Sequence, residues 1–263
     1  MPKYFKCINS ILQIVIKELD ILLHAFMLYS RIPVDVEYRE DFSQKSLRYF
    51  PLVGLLLSSI SSLFLVVLNG VFPLSVNVVL SVIVMMIFTG AMHEDGLADS
   101  VDAFFGGFSK DKVLAIMKDS RIGTYGTLSL ICSFAIRVFA LCCLPFYLIP
   151  VIFMLAHLSS RVAPVILANT SCYVNTQGSK SSYLSGCRDY VSIAVAVSVG
   201  FIPVFMFQYM IALYSAMVYL LIIFIVGIYS YRRIGGFTGD VLGALQQLCE
   251  ISFYIVCLYV FRQ

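Results

Sequence analysis

A chain of 263 residues in which 60% are hydrophobic and only 13% carry charge is not an ordinary soluble domain, where about a quarter of residues are charged. Its formal net charge of +3 is too small for nucleic-acid binding, which needs a concentrated basic surface. Eight cysteines are scattered without a C-x-x-C pair or zinc spacing, so they read as small apolar packing residues.

No cleavable signal peptide is expected, because the apolar run Ile11–Ile16 is cut short by Lys17, Glu18 and Asp20 with no small-residue cleavage site. The stretch from Ile11 to Tyr29 mixes apolar positions with these charges and His24. It is predicted to be an amphipathic helix, lying at the membrane surface or packed against the bundle. A spanning helix needs about 20 mostly apolar residues. Pro51–Val71, Leu74–Met92, Leu128–Phe146, Leu148–Ala168, Val191–Phe207 and Met210–Tyr229 meet or approach that length. The shorter run Ile251–Phe261 ends the chain, and its length leaves open whether it spans. Asn69-Gly70 with Pro73, Pro145 to Pro150, and Gln208-Tyr209 supply the hairpin turns. The expected fold is an all-α, polytopic integral membrane helical bundle of six to seven transmembrane helices plus the N-terminal amphipathic helix. Residues 1–263 form a single polytopic membrane domain in this reading.

The loops divide by charge. Asn69–Pro73, Pro145–Pro150 and Gln208–Tyr209 carry none, whereas the alternate segments hold Arg39, Lys45 and Arg48; Lys110, Lys112, Lys118 and Arg121; Lys180 and Arg188; and Arg232 and Arg233. Lys and Arg concentrate on the cytoplasmic side, so all four charged segments are expected there.

The segment from His93 to Phe108 follows a spanning stretch directly and contains Glu94, Asp95, Asp99 and Asp102. On a helix, Asp95 and Asp99 are i,i+4, Asp99 and Asp102 i,i+3, and Asp95 and Asp102 i,i+7, so all three share a face. Glu94 stands about a quarter of a turn away. Three stacked carboxylates repel one another unless a cation sits among them. Magnesium suits them, since it takes oxygen ligands and commonly uses one or two carboxylates plus substrate phosphates. A solvated acidic loop is the plain alternative. The interleaved Gly96 and Ala98, the break at Gly106-Gly107 and the membrane-boundary position favour function.

Two basic, glycine-rich segments fall on the same side. Lys118-Asp119-Ser120-Arg121-Ile122-Gly123-Thr124-Tyr125-Gly126 can grip phosphate through its cations and free backbone N–H groups just ahead of a helix. Arg232-Arg233-Ile234-Gly235-Gly236-Phe237-Thr238-Gly239-Asp240, followed by Gly243-Ala244 and Glu250, reads as a ligand-contacting turn. Acids in one loop and such turns in two others fit metal-assisted phosphoryl transfer. Arg137 and Arg161 lie inside apolar stretches and are expected to face the bundle interior beside a carboxylate or a bound phosphate. A structural ion pair is favoured for Arg137, while Arg161, near Ser159, Ser160 and Pro164, is equally a phosphate contact. His93 abuts the acids as a proton carrier, phosphate contact or positioned side chain, whereas His24 and His157 read as structural.

Taken together these motifs resemble the cobalamin synthase family, the adenosylcobinamide-GDP ribazoletransferases. They run in order along the chain: Arg31-Ile32-Pro33, Phe50-Pro51-Leu52-Val53-Gly54, His93–Asp102, Lys118–Gly126, Ser160-Arg161 with Pro164, and Gly235-Gly236-x-Thr-Gly-Asp with Gly243-Ala244 and Glu250. The loop Tyr173–Gly178 departs from the family pattern, lacking the basic and acidic residue expected before its glycine. The resemblance implies an inner-membrane, magnesium-dependent transferase with its active site on the cytoplasmic face. Such an enzyme joins adenosylcobinamide-GDP to alpha-ribazole or its 5′-phosphate and releases GMP.

Under this resemblance Asp95, Asp99, Asp102 and Asp240 are the expected metal ligands, with Glu94 or another carboxylate as base. His93, Lys118, Asp119, Arg121, Gly123, Arg161, Gly236, Thr238 and Gly239 are the expected substrate contacts. Membrane lipid is the expected surrounding, nucleic acid is not a partner, and a homo-oligomer or association with other cobalamin-assembly enzymes stays open. The acidic motif is also loosely similar to that of CDP-alcohol phosphotransferases, which makes phospholipid synthesis the alternative. In this chain the alanine follows Gly96 by two residues rather than three. A transporter is the remaining rival, but the two halves show no internal repeat and the acids lie in a loop.

Overall fold

A computed structural model describes residues 3–174, 182–184 and 188–262. Among these residues the regular elements are helical. In chain order they are α1 (Lys3–Tyr29), α2 (Glu40–Ser46), α3 (Phe50–Val67), α4 (Leu74–Thr89), α5 (Met92–Gly106), α6 (Lys110–Met117) and α7 (Thr124–Cys142). There follow α8 (Ile149–Ser159), α9 (Val162–Thr170), α10 (Tyr190–Phe207), α11 (Tyr209–Ile234) and α12 (Gly239–Phe261). Their ends follow local chemistry. Pro51 and Pro150 occupy the first turns of α3 and α8, where the missing N–H is no loss. Ser109, Asp189 and Thr238 accept backbone N–H groups as N-caps of α6, α10 and α12. Gly90 and Gly235 end α4 and α11 in the left-handed conformation.

Among the described residues six helical segments are long and apolar enough to cross a membrane: Glu40–Val67, Thr124–Cys142, Phe146–Thr170, Tyr190–Phe207, Tyr209–Ile234 and Gly239–Phe261. The chain is an all-α, multi-pass membrane protein. Phe146–Thr170 and Gly239–Phe261 form the centre, with 83% and 72% of their apolar windows buried, against 22% for α10 and for α11.

Two expected boundaries are corrected. Leu74–Met92 is not one straight span: α4 stops at Thr89, and α5 leaves it at 87°. The run Ile251–Phe261 is only the end of α12, which starts at Gly239 and has 23 residues. Glu250, Gln246 and Gln247 interrupt the hydropathy pattern that would have shown this, yet all three are buried. At the end of the bundle away from the charged segments, Phe261 meets Phe207 of α10 with ring centroids 6.3 Å apart, so α12 runs through the bundle.

The second half of the N-terminal helix packs against the bundle, one of the two placements expected of it. Ile21, Ala25 and Tyr29, one turn apart, are buried, whereas Leu12, Val15, Ile16 and Leu19 are exposed. Glu18 ties the two halves to the bundle: it pairs with Arg48 at 3.3 Å and accepts from the Tyr49 hydroxyl at 2.7 Å. Arg48 also reaches Asp189, ahead of α10, at 3.0 Å.

The elbow between α4 and α5 has an uncommon backbone. Gly90 and Ala91 both take positive φ, 66° and 54°, and the Arg31 N–H closes the end of α4 by donating to the Phe88 carbonyl at 2.7 Å. A Cβ on Gly90 would strike the Arg31 side chain. Gly90→Ala is therefore expected to destabilise the protein by about 1–3 kcal/mol, measured as a lower thermal midpoint in lipid nanodiscs.

Candidate active site

The elbow lays α5 across the end of the bundle that carries the charged segments. Its sequence is poor in large apolar residues, and its seat against α12 is made by glycine. A Cβ on Gly96 would lie 2.8 Å from the Asp240 carbonyl oxygen and 3.2 Å from Gly243 Cα. This close approach brings the first turn of α12, with Asp240, beside the acid face of α5. The expected common face is present on a continuous helix, with graded exposure: Asp95 exposed, Asp99 half-buried and Asp102 buried.

Asp102 has a specific occupation. Its two carboxylate oxygens accept from Gly123 N at 2.6 Å and Gly126 N at 2.8 Å. The start of α7 is an anion site by its free N–H groups and helix dipole, and the chain fills it with its own carboxylate. A Cβ on either glycine would collide with that carboxylate. The N–H groups of Gly123 and Gly126, expected to hold substrate phosphate, are thus already used.

Asp95, Asp99 and Asp240 differ from Asp102. Burial acts most strongly on the Asp99 carboxylate, and the charges of Asp95, Asp240 and Asp102 add to it; Asp240 is likewise affected first by burial and then by Asp95. Among the described residues no Lys or Arg forms an ion pair with any of the three. Oxygen-only, mutually repelling donors are the chemistry a hard cation requires. Among the described residues no three His, Cys, Asp or Glu side chains already converge as a closed metal cage would need. A cation whose shell is completed by water and substrate phosphate needs only one or two of them.

At the rim, Arg121 is paired with Asp119 at 2.6 Å and donates to it from backbone and side chain alike. These hydrogen bonds pull the Asp119 carboxyl down to about 2. Lys118 ends α6 on the same exposed segment. The second glycine-rich segment has a more architectural use than expected. Gly236 is buried and its absent Cβ admits the Cys172 carbonyl. Phe237 N–H donates to that carbonyl at 2.9 Å, and Val174 N–H returns to Phe237 O at 2.8 Å. Gly239 begins α12, and Thr238 is its buried N-cap, donating to Asp240 at 3.4 Å. Residues 175–178, most of the loop that departs from the family pattern, lie outside the described residues.

Three expected site residues are not on the acid face. Glu94 points into the bundle, 6% exposed, and pairs with Arg137 at 3.0 Å. Arg161, at the joint between α8 and α9, is 1% exposed and donates to His157 O at 2.7 Å. Gly54 of α3 makes room for it, since a Cβ there would meet the arginine's side chain at 2.6 Å, and the Phe50 ring lies under its guanidinium at 5.3 Å. His93 is buried with its ring stacked on Phe50, centroids 5.6 Å apart. These residues meet a group that periodicity alone did not single out. Glu250 pairs with His157 at 3.2 Å and with Arg137 at 3.6 Å. Gln246 donates to Glu250 at 2.8 Å and Gln247 to Glu94 at 3.3 Å. The readable signal was a pair of glutamines one turn before a glutamate on an otherwise apolar helix.

A profile of the cobalamin-5-phosphate synthase family matches residues 21–258. The chain belongs to that family. It is 37% identical over 251 residues to an adenosylcobinamide-GDP ribazoletransferase of Shewanella sp. (strain W3-18-1), covering 93% of this chain and 95% of that protein. The same identity and coverage hold for the Shewanella oneidensis protein of that name, and the one from Shewanella baltica (strain OS185) is 36% identical. No solved structure matches the chain. The family is one of enzymes, and its matched region takes in the elbow, the acid face of α5, the α7 start and the α5–α12 contact. The first two thirds of α1 lie before it.

Proposed function

We propose that this chain joins adenosylcobinamide-GDP to alpha-ribazole or its 5′-phosphate, with release of GMP, on the cytoplasmic side of the inner membrane. The observation that carries the reading is the close seat of Gly96, between Asp95 and Asp99 in α5, on the Asp240 backbone at the charged end of a bundle of this family. Relatives with 95% of their length matched carry that activity in their names.

In the reaction the ribazole hydroxyl oxygen forms a bond to phosphorus. The bond from that phosphorus to the bridging oxygen of the pyrophosphate breaks, and GMP leaves with the bridging oxygen. Asp95 and Asp240 would hold a magnesium ion, which supplies charge neutralisation for the phosphate oxygens when bound. Asp99, on which both carboxylates act, takes the hydroxyl proton. Lys118 and Arg121 bind phosphate at the rim, Arg121 exchanging Asp119 for the substrate. Asp102 fixes the α7 start on α5, and Glu94, His93 and Arg161 support α5 from beneath.

The test is GMP release by the purified protein in lipid nanodiscs, with adenosylcobinamide-GDP, magnesium, and alpha-ribazole present or absent. Release that depends on both ribazole and magnesium is expected. A parallel assay offers a CDP-lipid donor with an alcohol acceptor; product from that donor alone would overturn the proposal.

A further inference from the structure

Helix α5 carries the acid face, buries only small or single apolar side chains (Leu97, Ala98 and Ala103) beside five buried polar or glycine positions, and follows a bend of 87°. Polar ties therefore add to the glycine seat on α12 in setting its rotation and slide. We propose that Arg137 and Arg233 are positioning residues that clip α5 from opposite ends and so set where Asp95 and Asp99 stand against Asp240. The inference rests on the functional reading above for its catalytic consequence.

At the N-terminal end the clip acts through Glu94. Glu94 Oε1 accepts from Arg137 Nη1 at 3.0 Å and from Gln247 Nε2 at 3.3 Å. Arg137 is 3% exposed and its second carboxylate, Glu250, is 3.6 Å away. Glu250 in turn holds Gln246 and His157. One buried set of charges therefore joins α5 to α7, α8 and α12. Removing one partner strands the other in low dielectric, so the set tolerates little displacement.

At the C-terminal end Arg233 of α11 donates through Nη2 to the carbonyl oxygens of Phe104, at 3.0 Å, and Gly107. Those carbonyls have no partner within the helix, and a cation there also meets the negative end of its dipole. The guanidinium lies 5.7 Å from the Tyr229 ring centre, and that ring stands edge-on to Phe104 at 5.2 Å. Between the two clips, Asp102 holds the α7 start. Neither arginine is paired with Asp95, Asp99 or Asp240 among the described residues, so their effect on chemistry passes through α5. A displacement of about 1 Å at a reacting group can lower turnover about 100-fold.

The experiment compares Arg233→Gln, Arg233→Lys, Glu94→Gln, Arg137→Gln and the Glu94→Gln/Arg137→Gln double variant in nanodiscs. GMP release gives kcat and KM, and hydrogen exchange is followed by mass spectrometry over residues 92–106. The expected result is a fall in kcat of about 10- to 100-fold in each Gln variant, with KM for the GDP donor changed by less than about two-fold. Arg233→Lys, which keeps a donor and its charge, recovers most of the loss. The double variant is no worse than the worse single one, because both remove one linkage. Exchange in α5 accelerates in every Gln variant, and in Arg233→Gln, whose contacts do not involve α12, α12 keeps its wild-type rates. Wild-type kcat in Arg233→Gln, additive losses in the double variant, or unchanged α5 exchange would overturn the inference. If Arg137→Gln fails to fold, the half-buried Arg233 end carries the test. A wild-type protein that releases no GMP sinks the functional reading instead, and the exchange data still decide whether the arginines hold α5.

Discussion

Asp99→Asn is expected to lower GMP release by about 10²- to 10³-fold while leaving the protein at least as stable as wild type. Both halves follow from one arrangement. Asp99 is half-buried and acted on by Asp95, Asp240 and Asp102, without an ion-pair partner among the described residues. Native carboxylates crowded in this way oppose folding through mutual repulsion, and a neutral amide of the same shape relieves it. The gain falls in the range of about 0.5–2 kcal/mol seen when function-bearing strain is removed. In the proposed reaction the same amide can neither take the hydroxyl proton nor share in neutralising a cation. The check is paired: thermal midpoint and GMP release on one nanodisc preparation. Loss of activity together with a lower midpoint would assign Asp99 to structure and sink its proposed role.

Gly96→Ala is expected to lower kcat by about 100-fold through displacement alone. The added Cβ would sit 2.8 Å from Asp240 O, 3.1 Å from Asp240 Cα and 3.2 Å from Gly243 Cα. All three contacts are backbone, so no side chain can swing aside and the two helices must part. Overpacking of this kind costs about 1–3 kcal/mol, partly offset by the roughly 1 kcal/mol by which Ala is the better helix former. The net change in thermal midpoint is therefore small, while Asp240 moves away from Asp95 and Asp99. Wild-type turnover in Gly96→Ala would show that the α5–α12 spacing does not govern the reaction.

The sequence makes the acid motif legible because it is local: three carboxylates at i, i+4 and i+7 share a face on any helix, whatever surrounds it. The elbow is not local. Leu74–Met92 reads as an unbroken apolar run, and the stop at Thr89 depends on Gly90, a left-handed Ala91 and the Arg31 N–H arriving from a distant segment. The role of Asp102 was hidden for a similar reason. Nothing in its spacing from Asp99 distinguishes a carboxylate facing solvent from one closing the start of a helix 21 residues away. Glu94 shows the limit most plainly. A quarter turn from its neighbours is a small angle on a helical wheel, yet in the bundle it separates a buried ion pair with Arg137 from the exposed Asp95.

By itself, then, the sequence of His93–Asp102 determined that carboxylates would line one face of a helix at a membrane boundary, since helical period and hydropathy are properties of the chain alone. Only the tertiary structure decided which of them act together. Asp240 comes to that face through the Gly96–Gly243 contact. Asp102 is claimed by the N–H groups of Gly123 and Gly126, and Glu94 is drawn inward by Arg137. Each of those outcomes depends on which charge or dipole another helix presents.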